Sequence, residues 1–138
     1  MNVPKVIELL NKAIPLQLRS AAIYTWAAGA ATGIHFQAVA AEFEEFGRHD
    51  LDDARRLIEK LVALGGDATT DVAPFEPITP TEAGIRRIVE YEKKALDALH
   101  DVIPETGQES RSEALEHLME HLIMRKQHQV DFLLRTLR

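Results

Sequence analysis

The chain contains no cysteine. It therefore has no disulfide framework and no thiolate metal site, a usage that suits a reducing cytoplasm. Aromatic residues make up only 6% of the sequence, with Trp26 the single tryptophan. Prolines and glycines number six and seven and sit mostly between periodic blocks, which favours helices over a sheet-rich fold. No apolar run is long enough to cross a bilayer, and the opening Met1-Asn2-Val3-Pro4-Lys5 leads into a charged amphipathic segment rather than the apolar stretch of a secretion signal. Basic surface is missing as well. The formal charge is −6 and neither end carries a basic tail, so a nucleic-acid partner is not expected, and neither is a membrane. Gly-rich phosphate loops, serine-nucleophile arrangements and Cys-x-x-Cys pairs are all absent.

What the chain has is helical periodicity. With 138 residues and a hydrophobic share of 46%, it has a single-domain length, 1–138, and folding at this size buries roughly two-thirds of the accessible surface. Four long blocks follow one another. The first spans about Val3 to Gly33, with Asn2 as a cap and Pro4 in the first turn; Pro15, inside it, predicts a kink or break. The second spans about His35 to Leu64 and stops at Gly65-Gly66. After a long linker from Asp67 to Thr79, Thr79 or Thr81 caps a third block from about Pro80 to Val102. Pro104 to Gln108 form a short turn, and the fourth block covers Glu109 to Leu137. Short connections make antiparallel neighbours, whereas the long linker can carry the chain the length of a bundle. The expected fold is all-α: a four-helix bundle of two antiparallel helical hairpins joined by a long crossover between helices two and three.

Each apolar stripe is interrupted by polar residues at core positions. Phe43, Phe46, Ala54, Leu57, Leu61 and Leu64 define the second stripe, and Asp50 and Asp53 fall on it, three apart and so on one face. Gln17 lies between Ile14 and Ala21, Glu92 between Val89 and Leu96, and Lys126 and Gln129 between Ile123 and Val130. Carboxylates facing a core require a cation, either a metal or a basic side chain.

Two stretches carry a family resemblance. Glu8 onward reads Glu-Leu-Leu-Asn-Lys-Ala-Ile-Pro-Leu-Gln-Leu-Arg-Ser-Ala-Ala-Ile-Tyr, and Arg55 onward reads Arg-Arg-Leu-Ile-Glu-Lys-Leu-Val-Ala-Leu-Gly-Gly. With the hairpin–crossover–hairpin plan, they make the chain resemble bacterioferritin and the wider ferritin-like superfamily over nearly its whole length. In that superfamily a Glu from each of helices one and three, and a Glu-x-x-His from each of helices two and four, bind two irons. Carried over position by position, the first Glu matches Gln17, and Tyr24 matches a family tyrosine. The second-helix motif falls on Asp50-Leu51-Asp52-Asp53, the third Glu on Glu92, and the fourth-helix motif on Lys126-Gln127-His128-Gln129. The family's haem-ligating Met falls on Leu51, so haem is not expected by that route.

A lysine in place of a bridging Glu puts positive charge where the metals would be. The resemblance and the substitutions together imply a degenerate diiron centre of Gln17, Asp50, Asp53, Glu92, Lys126 and Gln129, with no cofactor. Three carboxylates against one lysine leave excess negative charge, to be met by a proton, by Arg125, or by one small cation. The alternatives are iron or another single divalent cation held by Asp50, Asp53 and Glu92, with His49 or His128 contributing. His117 and His121, four apart, read as a solvated face, with a metal pair as the alternative. Tyr24 and Trp26 read as packing residues. Small residues from Trp26 to Gly33 offer a close-packing surface, and the resemblance implies a homodimer through the first two helices, with a higher oligomer as a further possibility. The expected role is non-enzymatic binding or structure; iron storage, iron oxidation, or service as a stress-protection subunit of a cage are the alternatives.

Overall fold

In the computed structural model, which describes residues 1–138, every regular element is a helix. Four long helices form the bundle: α1 (Val3–Ala30), α3 (Ala40–Ala63), α4 (Glu82–His100) and α5 (Ser110–Thr136). A short α2 (Gly33–Gln37) and a single 3-10 turn (Ile103–Glu105) lie in the connections. No helix is long and apolar enough to cross a membrane.

Local chemistry sets the helix ends. The Asn2 side chain accepts the Lys5 N–H at 3.2 Å, with Pro4 in the first turn of α1. Thr81, and not Thr79, caps α4, accepting the Gly84 N–H at 3.1 Å, so Pro80 stays outside the helix. Past the end of α3, Gly65 adopts φ 88°, a left-handed conformation that glycine enters without a steric penalty.

Two features differ from the sequence expectation. The first helix ends at Ala30, and Gly33 at φ 82° turns the chain into α2, so the second long helix starts at Ala40 and not near His35. None of the five residues of α2 is buried, and it serves as a connection. Of the kink or break expected at Pro15, the break does not occur, since α1 is one continuous helix across it. Leu10, Ala13 and Ile14 before it and Gln17, Ser20 and Ala21 after it are all buried, so packing on both sides holds a path that proline alone disfavours.

The crossover lies along α1. The Asn11 side chain donates to the Asp67 carbonyl at 3.0 Å and accepts the Thr69 N–H at 2.8 Å. Further along, the Ala73 N–H donates to the Pro15 carbonyl at 3.1 Å, and Ile78 enters the core beside Ile23 and Tyr24. The linker thus travels in the direction of α1 and delivers α4 to the opposite end of the bundle.

Two apolar clusters fill the interior. The lower one includes Leu10, Ile14, Leu57, Leu61, Leu99, Leu115, Met119 and Leu122; the upper one includes Ile23, Tyr24, Phe43, Phe46, Ile85, Ile88, Val130 and Leu133. Leu122 takes the inward place expected of Ile123, which is half-buried. Each fully buried side chain of this kind contributes about 1.5–3 kcal/mol. Between the clusters lies a layer of polar side chains.

Candidate polar centre

All four long helices contribute to the polar layer: Gln17 and Ser20 from α1, Asp50 and Asp53 from α3, Glu92 from α4, and Lys126 and Gln129 from α5, each no more than 2% exposed. Helical spacing places them there. Gln17, Ser20 and Tyr24 recur at steps of three and four on α1, as do Asp50, Asp53 and Leu57 on α3 and Leu122, Lys126 and Gln129 on α5.

Lys126 stands at the middle of the layer. Its Nζ is 3.1 and 3.3 Å from Glu92 Oε2 and Oε1, and 3.5 Å from Asp50 Oδ1. Burial alone would lower its pKa, but Asp50 and Glu92 outweigh burial and hold it above the ordinary lysine value. The ammonium is therefore charged. Asp50 Oδ1 accepts from Gln17 Nε2 at 3.1 Å and from Gln129 Nε2 at 3.2 Å. Glu92 accepts from Ser20 Oγ through a very short bond and from the Tyr24 hydroxyl at 3.1 Å. Burial, reinforced by Glu92 and Asp50, pushes the Tyr24 phenol well above its usual value, so it remains a neutral donor.

Asp50 is the strained member electrostatically. Burial is the main cause that pushes its carboxyl up to about 7, against the opposing pull of Lys126 and Gln129. Asp53 is also raised, first by burial, and is met by Arg125, whose Nε lies 3.5 Å from Oδ2. Arg19 adds a further cation. It is 7% exposed, and its guanidinium stacks 4.4 Å from the Tyr91 ring centroid. Burial lowers its pKa, while Tyr91 and Glu92 favour its charge. Lys126, Arg125 and Arg19 thus stand against Asp50, Asp53 and Glu92.

Sequence reasoning singled out the polar residues on the stripes but missed Ser20 and Arg19. Ser20 was visible as the step between Gln17 and Tyr24. Arg19 carried no such signal, because α1 is covered by α3, α4 and the crossover over an arc wider than one stripe. The three carboxylates do not converge on one point: no group of three or more His, Asp or Glu side chains is arranged to hold a metal ion. His49 and His128 lie outside the layer. His49 is 46% exposed and pairs with Glu45 at 3.7 Å, and His128 is exposed on α5; both border a shallow surface depression next to Arg125 and Gln129. His117 and His121 are exposed on α5. Leu51, also exposed, lines an apolar groove of about 740 Å³ between α1 and α3, together with Leu18, Ala22, Trp26, Val72 and Phe75.

A helical bundle with a crossover after its first hairpin and a charged layer drawn from all four helices defines a ferritin-like architecture. The family model for the ferritin-like domain matches residues 7–138, and the chain belongs to that family. A ferritin-like, diiron-carboxylate protein from Bacillus anthracis superposes with a TM-score of 0.90 at 20% identity, covering 99% of this chain and 97% of that one. The Rhodobacter capsulatus bacterioferritin, whose structure has a metal-free dinuclear site and a haem iron, superposes with a TM-score of 0.78 at 20% identity, covering 97% and 84%. A dodecameric thioferritin, the bacterioferritin-related protein from Bacteroides fragilis, superposes with a TM-score of 0.85 at 18% identity, covering 99% and 86%. No curated protein sequence matches the chain.

Proposed function

We propose that this chain is a ferritin-like protein in which a buried lysine–carboxylate cluster stands in place of the diiron oxidation centre, and that its role is non-enzymatic binding or structure. Lys126 carries the proposal. Its ammonium bonds both oxygens of Glu92 and approaches Asp50, where two dications would need to be bridged. The remaining donors point the same way. A ferritin-type centre calls for four Glu and two His, whereas this layer offers Gln17, Gln129 and no imidazole, and Asp53 already faces Arg125. These residues do not fit two irons.

One observation favours a second reading. Gln17 Oε1, Gln129 Oε1, Asp50 Oδ2 and Asp53 Oδ1 are buried and lack hydrogen-bond partners. Such hard oxygen donors suit one small cation rather than two. Anaerobic titration of the metal-stripped protein with Fe(II), followed by oxygen, separates the readings. The natural chain is expected to take up no iron, and a Lys126→Glu variant with native circular dichroism to gain uptake. One equivalent without fast oxidation would establish the single-cation reading. Two rapidly oxidised equivalents per chain would overturn both and restore iron storage or oxidation as the function.

The groove at Leu51 supports a homodimer. Trp26 is 49% exposed and Leu51 58%, in an apolar surface on the hairpin of α1 and α3. A two-fold pairing would bury this surface against its own copy. Likeness to a dodecameric relative supports a larger shell built from such pairs. Leu51→Asp is expected to convert dimers to monomers in sedimentation velocity; unchanged association would place the interface elsewhere.

A further inference from the structure

The outward face of α5 differs from those of the other long helices. The exposed faces of α1, α3 and α4 are laced with ion pairs one turn apart, such as Lys12–Glu8, Arg55–Glu59 and Arg86–Glu82. On α5, His117, His121 and Met124 follow one another at steps of four and three, and all three are exposed, Met124 by 63%. Outside the polar layer the side-chain bonds of α5 involve Arg125, Gln127, Asp131 and Thr136, so neither imidazole is engaged, although Glu113 and Glu120 lie within one turn. Glu120 and Glu113 likewise form no salt bridge with any residue, so this face carries nitrogen and sulfur donors free of competing partners.

We propose that His117, His121 and Met124 form a copper site, separate from the polar layer. Residues four apart on a helix have Cβ atoms about 6 Å apart, which lets two imidazoles close on one ion. Met124 lies one turn on from His121, and long side chains on a helix lean toward its N-terminus, which gives the thioether a path to an ion held there; Met124 also borders a depression lined by His100, Glu120 and His128. Two imidazoles suit several divalent ions, and copper heads the affinity series for such donors; the thioether adds a preference for Cu(I). No third imidazole or carboxylate joins them, and water completes the coordination when Cu(II) is bound.

The test is competition for Cu(I), without oxygen, between the full chain and a chromophoric chelator, with Cu(II) titrated in parallel. One copper per chain is expected. His117→Ala/His121→Ala should weaken both forms by about a hundredfold, because the second imidazole binds intramolecularly. Met124→Leu should weaken Cu(I) more than Cu(II). All three positions are exposed, so circular dichroism and the melting temperature should be unchanged. The proposal is overturned if the double variant retains the natural affinity, or if His128→Ala removes the binding instead.

Discussion

A Lys126→Met variant should be less stable than the natural chain by about 3–5 kcal/mol in urea unfolding at neutral pH. Methionine fills the space of the lysine stem. It leaves Glu92 and Asp50, both 1% exposed, without the cation that lies 3.1 to 3.5 Å from them. The loss is therefore one of charge compensation and not of volume. Adding Glu92→Gln and Asp50→Asn to the same chain should recover most of it, since neutral amides remove the uncompensated charge while keeping the shape. A loss below about 1 kcal/mol, the size associated with solvated ion pairs, would show that water reaches the layer and screens it.

The second large effect is on pH dependence. Asp50 has a carboxyl pushed up to about 7 in the folded chain, against about 4 when unfolded. As pH rises the unfolded chain gives up this proton first. The contribution of Asp50 is accordingly whole below pH 4 and is lost as pH climbs through 7, a change on the order of a few kcal/mol. Asp53 is shifted in the same direction. Lys126, held above its ordinary value, loses its contribution only in strongly alkaline solution. Exposed Glu8 and Glu109 and half-buried Asp52 are shifted down by nearby positive charge or hydrogen bonds and act oppositely in acid. The comparison to make is therefore the natural chain against Asp50→Asn from pH 4 to pH 7.5. The slope should be shallower in the variant, and parallel curves would place the proton elsewhere.

The sequence made the fold legible because long amphipathic blocks, Gly65-Gly66 and one proline-rich crossover leave little freedom in how four helices pair. It also marked Gln17, Asp50, Glu92, Lys126 and Gln129, since a polar residue on an apolar stripe stands out against its neighbours. What it left open was pairing. Asp53 could have faced Lys126 or a metal, and only packing brings Arg125 to it. Tyr24 read as a packing residue, yet its hydroxyl also donates to Glu92. Periodicity follows one face at a time, so the second buried arc of α1, with Arg19, gave no signal. The passage through Pro15 was hidden for a related reason: local propensity favours a break, and the neighbouring core residues and crossover act from outside the helix.

The polar layer between two apolar clusters also decides how the helices are threaded against one another. Sliding α5 by one turn would still leave most of the places of Leu115, Met119 and Leu122 in the lower cluster filled by apolar residues, a change that loosely packed cores tolerate. The same slide would bring Leu122 or Val130 opposite Asp50 and Glu92 and carry Lys126 into hydrocarbon. Buried charges would then be stranded on both sides. Greasy layers give the bundle its cohesion, and the single ionic layer works as an alignment key that admits one vertical setting of four otherwise slippery rods.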